Sequence, residues 1–155
     1  MTVNIATLLE PPGLNLALAW SWVTLGFGSG LVLGLFFHRE QWLGGYASLK
    51  RSLYRLGHIS FFGLGVLNLC FYFTVRELAL TGPIVTVGAW AFVAGAIFMP
   101  FCCVLMAHAP RLRPLFAVPV VSLLVGGVLT AVTVALPQLS TNHQQPAANS
   151  SRLTL

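Results

Sequence analysis

Residues 14–37 read LNLALAWSWVTLGFGSGLVLGLFF, and this run decides what kind of protein the chain forms. It contains no Asp, Glu, Lys or Arg and matches the ~20 residues that an α-helix needs to cross a bilayer. Lipid offers the backbone no hydrogen-bond partner, so a lone run of this kind predicts a helix rather than a strand. It is not expected to be a cleavable leader. No basic stretch precedes it, it exceeds the length of a leader's apolar core, and no A-x-A site follows.

Working outward, three more runs of similar length follow at about 53–75, 83–107 and 115–136. Residues 10–13 (EPPG) precede the first run, and Thr81-Gly82-Pro83 sets a cap-like Thr and an early Pro before the third. Pro110 and Pro114 bracket a turn, and Pro137 is expected to end the fourth span. Residues 1–137 thus read as one transmembrane domain and 138–155 as a disordered polar tail. Short connections make successive helices antiparallel neighbours. The expected fold is all-α, an integral membrane four-helix up-down bundle with no internal repeat.

Composition agrees. The chain is 57% hydrophobic and only 7% charged, against about 25% charged in a soluble domain. Eight Lys/Arg and three Glu give a net charge of +5. These cations lie between apolar runs and form no aromatic-interleaved basic face, which argues against nucleic-acid binding. Arg39, Lys50, Arg51, Arg55, Arg111 and Arg113 fall on one side of the predicted membrane, and only Arg76 and Arg152 on the other. The positive-inside rule then places both termini outside, with the bacterial inner membrane as the expected location. Trp42 and Tyr46 fit an interfacial segment on the basic side. Cys70, Cys102 and Cys103 lie in apolar runs without a zinc spacing and read first as small buried hydrophobes.

Helices in lipid associate through close packing and polar contacts. Gly26, Gly30 and Gly34 recur every fourth residue in the first span, as do Ser122, Gly126 and Thr130 in the fourth. Gly88, Gly95 and Cys102 recur every seventh in the third. In the second span Tyr54, His58, Phe61, Gly65, Asn68 and Tyr72 are spaced 4, 3, 4, 3 and 4. This spacing lines up one seam of a helix, so His58 and Asn68 are expected to face the bundle. Pro100, inside the third span, removes a helical hydrogen bond and frees the carbonyl of Ala96. It reads first as a packing device and second as an opening in the wall of a site.

His38, His58 and His108 fall at one level near the basic side and are the candidate ligands. Two histidines on facing helices suit haem b. Cys102, Cys103, Met99 and Met106 lie near in sequence and would suit copper(I). A quinone head group bonded to His58 and Tyr54 is a further ligand class. Against these, His38 and His108 sit where histidines ordinarily cap helix C-termini. Catalysis is not expected, because the three carboxylates, Glu10, Glu40 and Glu77, all lie in connections. Gly26-Phe27-Gly28-Ser29-Gly30 lies mid-span, where no phosphate reaches.

The sequence therefore predicts a non-enzymatic subunit or accessory protein of a membrane complex, associating with itself or with other subunits. A haem- or metal-binding electron-transfer subunit is the alternative. A small transporter or channel unit is the third reading, and it lacks an ionisable group at the membrane midplane.

Overall fold

The computed structural model describes residues 10–144. Four long helices follow in order: α1 (Gly13–Phe36), α2 (Leu49–Glu77), α3 (Pro83–His108) and α4 (Ala117–Gln144). All four are long and apolar enough to cross a membrane. The chain is a polytopic integral membrane protein with an all-α up-down bundle, as expected. Short 3-10 segments at Trp42–Gly44 and Pro110–Phe116 turn the chain at the basic end.

Two boundaries differ from the sequence reading. Gly82, at φ 112°, takes the N-cap position of α3 in place of Thr81. A left-handed backbone is available to glycine without strain, and it sets Pro83 directly into the first turn. The backbone of α4 stays helical past Pro137 to Gln144. A proline removes one hydrogen bond from a helix, and an apolar span tolerates that loss. The rest of the expected tail, 145–155, lies outside the described residues.

The helices pack in chain order, with α2 and α3 in the middle. In their most apolar windows α2 and α3 are 33% and 44% buried, against 11% for α1 and for the last span. Each interface sets glycine on one helix against a large side chain on the next. A Cβ at Gly26 would fall 2.8 Å from the ring of Phe62, and one at Gly30 would fall 2.8 Å from that of His58. Gly65 lets the α1 backbone approach, with the Ala19 carbonyl 3.1 Å from where a Cβ would sit. Between α3 and α4, Gly95 accepts Leu123, Gly126 accepts Phe92, and Gly88 faces Leu129 and Thr130. Cys102 Sγ lies 3.6 Å from the Leu115 carbonyl, continuing the seven-residue track toward the last helix. Ser122 is half-buried and Thr130 donates back to the Gly126 carbonyl. Of the glycines expected to pack, Gly34 is the exception, for nothing lies within 4 Å of its would-be Cβ.

Hydroxyls on the outer surface are satisfied within their own helix. Ser21 donates to the Ala17 carbonyl and Thr24 to that of Trp20, both at 2.9 Å. Lipid therefore meets no unpaired hydroxyl at these positions.

Candidate functional site: a lateral groove beside His58

The α2 seam, expected to face the bundle, meets α1 through Phe61, Gly65 and Asn68. Asn68 is fully buried, and its Oδ1 accepts from Asn15 Nδ2 at 2.8 Å. Asn15 also donates to the Ala89 carbonyl at 3.2 Å, tying α1 to α3 as well. Two turns further along, Trp22 Nε1–H donates to the Ala96 carbonyl at 3.0 Å. This is the carbonyl that Pro100 leaves without its helical donor, so the indole replaces the missing N–H. The Trp22 ring also meets Phe61 edge-on at 5.7 Å.

Beyond Trp22 the α1 and α3 walls stand apart and a groove of about 650 Å³ opens between them. Leu25, Ser29 and Leu33 form one wall, Pro100, Phe101 and Val104 the other, and the α2 seam from Tyr54 to Phe61 is the floor. Gly57 leaves that floor low, and Cys103 packs beneath it. The volume falls within the range of small-molecule sites, and so does the character of the wall, apolar with a few polar atoms.

His58 is half-buried on this floor. Its Nδ1 lies 2.9 Å from Ser29 Oγ, and Ser29 Oγ lies 3.0 Å from the Gly26 carbonyl. Serine has one hydroxyl proton, and a carbonyl can only accept. Both contacts are satisfied when Ser29 donates to Gly26 and His58 Nδ1–H donates to Ser29. In the neutral ring Nε2 is then an acceptor. Among the described residues Nε2 has no hydrogen bond, and it is not among the sealed polar atoms, so it opens onto accessible space. Phe62 packs edge-on against the imidazole at 5.5 Å and holds its plane.

The other two histidines are placed differently. His108, exposed at the end of α3, pairs through Nε2 with the Tyr54 hydroxyl at 2.9 Å. His38 is exposed just past α1. No group of three or more His, Cys, Asp or Glu positioned for a metal occurs among the described residues. Cys102 and Cys103 are buried free thiols, and Cys70 faces outward.

Arg51 has a role that its sequence position does not reveal. It is only 2% exposed, and its Nη2 donates to the Phe37 carbonyl at 3.0 Å, capping the end of α1 where His38 was the expected cap. Its guanidinium lies 5.0 Å from the ring centres of Phe37 and Tyr46 and 5.8 Å from that of Trp42. Arg51 Nε has no hydrogen-bond partner among the described residues. The charge is held by aromatic faces, which suits a guanidinium better than an ammonium. Leu43, Gly44 and Gly45 all adopt positive φ, and this reversal brings Trp42 and Tyr46 to the same guanidinium. Asn15, Ser29 and Arg51 are thus the site-shaping residues that sequence reasoning missed. Their signal was polarity within or beside an apolar run, at depths matching Asn68, His58 and Phe37.

No family model, curated protein or solved structure matches this chain.

Proposed function

We propose that the protein is a non-enzymatic accessory subunit of a membrane complex, and that its working surface is the groove, which binds a lipid-soluble small molecule. The carrying observation is the pairing of a 650 Å³ apolar groove with an imidazole whose free nitrogen is set by Ser29. A purely structural bundle has no need of such a gap along its central seam. The proposed setting is a bacterial inner membrane, with the basic end in the cytoplasm and both termini outside.

The Ser29–His58 pair does not argue for hydrolysis. Ser29 Oγ also lies 3.0 Å from the Gly26 carbonyl, no carboxylate orients the ring among the described residues, and Glu10, Glu40 and Glu77 lie at helix ends or in connections. The supporting experiment is extraction in native lipid nanodiscs, with mass spectrometry of co-purified small molecules. A stoichiometric molecule in the wild type, displaced by Val104→Trp at the groove wall, is the expected result. Equal lipid profiles in both proteins would refute a specific site.

One observation favours a second reading. A histidine ligand ordinarily donates its other ring N–H to a neighbour, which fixes the tautomer, and Ser29 does this for His58. A haem or metal bound through His58 Nε2 is therefore the alternative. Its test is an absorption spectrum, oxidised and reduced, with metal analysis on the same sample. His38 would not be part of that site, and His108 would first have to release Tyr54.

A further inference from the structure

We infer that the groove selects a hydroxyl-bearing aromatic head group on an apolar tail, of the hydroquinone type, and that His58 Nε2 accepts the hydroxyl proton in a hydrogen bond. This rests on the groove reading above and adds the ligand's chemistry to it. Three observations carry it. The groove is walled or floored by flat faces, with Trp22, Phe61, Phe36, Trp42 and Phe101 all lining it. Such walls fit a ring better than an acyl chain, because aromatic pairs gain from offset and edge-on contact beyond their buried area. The groove opens along α1 and α3 toward residues that are themselves exposed on the lipid side, Leu25 at 49% and Val104 at 43%, so a tail has an exit.

The third observation sets the polarity of the head. When Ser29 donates to Gly26, the arrangement that satisfies both contacts, His58 donates from Nδ1 and Nε2 carries no proton. An acceptor nitrogen bonds a hydroxyl and gives nothing to a carbonyl oxygen. The reduced, hydroxyl-bearing form of a quinone couple therefore binds better than the oxidised form. The other polar groups at the groove do not alter this preference. Tyr54 is engaged with His108 and Trp22 with Ala96. Trp42 Nε1–H donates equally well to a hydroxyl oxygen or to a carbonyl.

The test uses the full chain in nanodiscs and three probes sharing one decyl tail: a benzohydroquinone, its benzoquinone and its dimethyl ether. Retained probe is measured under anaerobic conditions against empty nanodiscs. One neutral hydrogen bond predicts a hydroquinone bound about three- to tenfold tighter than the quinone or the ether. In Ser29→Ala the ring is free to place its proton on Nε2, so the gap between hydroquinone and quinone narrows. Wild-type protein alone decides the central claim, so a poorly folding variant does not protect it. Equal retention of all three probes above background would overturn the hydroquinone inference and leave the groove standing. Retention of none would overturn both. A Soret band in the purified protein would transfer the site to haem.

Discussion

Trp22→Phe isolates a single atom pair. The substitution keeps an aromatic ring against Phe61 but removes the N–H that reaches the Ala96 carbonyl at 3.0 Å. Ala96 is 0% exposed, and its helical donor would be residue 100, which is proline. The carbonyl then has neither its helical partner nor its replacement. A lost side-chain bond in a membrane bundle and an unsatisfied buried carbonyl together imply about 1–2 kcal/mol. The diagnostic is the same substitution in a Pro100→Ala background. There residue 100 regains an N–H for Ala96, and Trp22→Phe should cost less than about 0.5 kcal/mol, leaving a coupling near 1 kcal/mol. The assay is unfolding by SDS titration in mixed micelles, followed by helical circular dichroism. Equal costs in the two backgrounds would refute the claim that the indole stands in for the proline's missing donor.

Four further substitutions have expected outcomes by SDS titration. Gly65→Ala forces its Cβ against the Ala19 carbonyl at 3.1 Å and Val23 Cγ2 at 3.2 Å, and should cost about 1–3 kcal/mol. Gly63→Ala, with nothing within 4 Å, should not destabilise. Asn15→Leu leaves Asn68 Oδ1 buried without its donor and should cost about 1–2 kcal/mol, whereas Asn15→Leu with Asn68→Leu should cost less than the two singles summed. Arg51→Lys keeps the charge but loses the planar contact with three rings and should destabilise by about 1–3 kcal/mol, with faster proteolysis between residues 37 and 48. A lysine variant as protease-resistant as wild type would show that charge alone holds that loop.

The spans were legible because bilayer thickness imposes a length that few other constraints imitate, and apolar runs of that length were plain. The α2 seam was legible for a similar reason: its 4-3 spacing tolerates one facing direction, and Phe61, Gly65 and Asn68 all meet α1. The carbonyl freed by Pro100 was also readable, since a missing N–H is a property of the residue itself. What answers that carbonyl was not. Periodicity orients a helix about its own axis but does not say which neighbour's side chain stands at the same depth. So nothing in the sequence pairs Trp22, Ser29 or Asn15 with a partner, and the every-fourth spacing groups Gly34 with Gly26 and Gly30 although nothing lies within 4 Å of its would-be Cβ. Arg51 was hidden differently. In sequence it is one cation in a pair with Lys50, and only the positive-φ reversal at 43–45 wraps aromatic rings around it.

These residues also explain why the groove lies where it does. At one end α1 is fastened across the bundle by Asn15 and Trp22, which reach the α3 backbone at 3.2 and 3.0 Å. At the basic end Arg51 holds the Phe37 carbonyl, at the C-cap of α1, to the first turn of α2, with no tie to α3. Between the two fastenings, among the described residues, the side-chain hydrogen bond from α1 to another helix is the one to α2, through Ser29 and His58. A helix fixed to α3 at one end and to α2 at the other must leave α3 over the intervening turns. Pro100 and Gly57 line the opening, and neither extends a long side chain to close it. The free nitrogen of His58 therefore sits in a stretch where the packing pattern leaves room for a ligand. Tightening the basic end against α3 should close the groove without touching His58. A disulfide or crosslink between cysteines introduced at Val32 and Val104, in a background lacking Cys70, Cys102 and Cys103, tests this directly. It should abolish hydroquinone retention while leaving the fold and the Ser29–His58 pair intact. Retention that survived the crosslink would place the ligand elsewhere on the molecule.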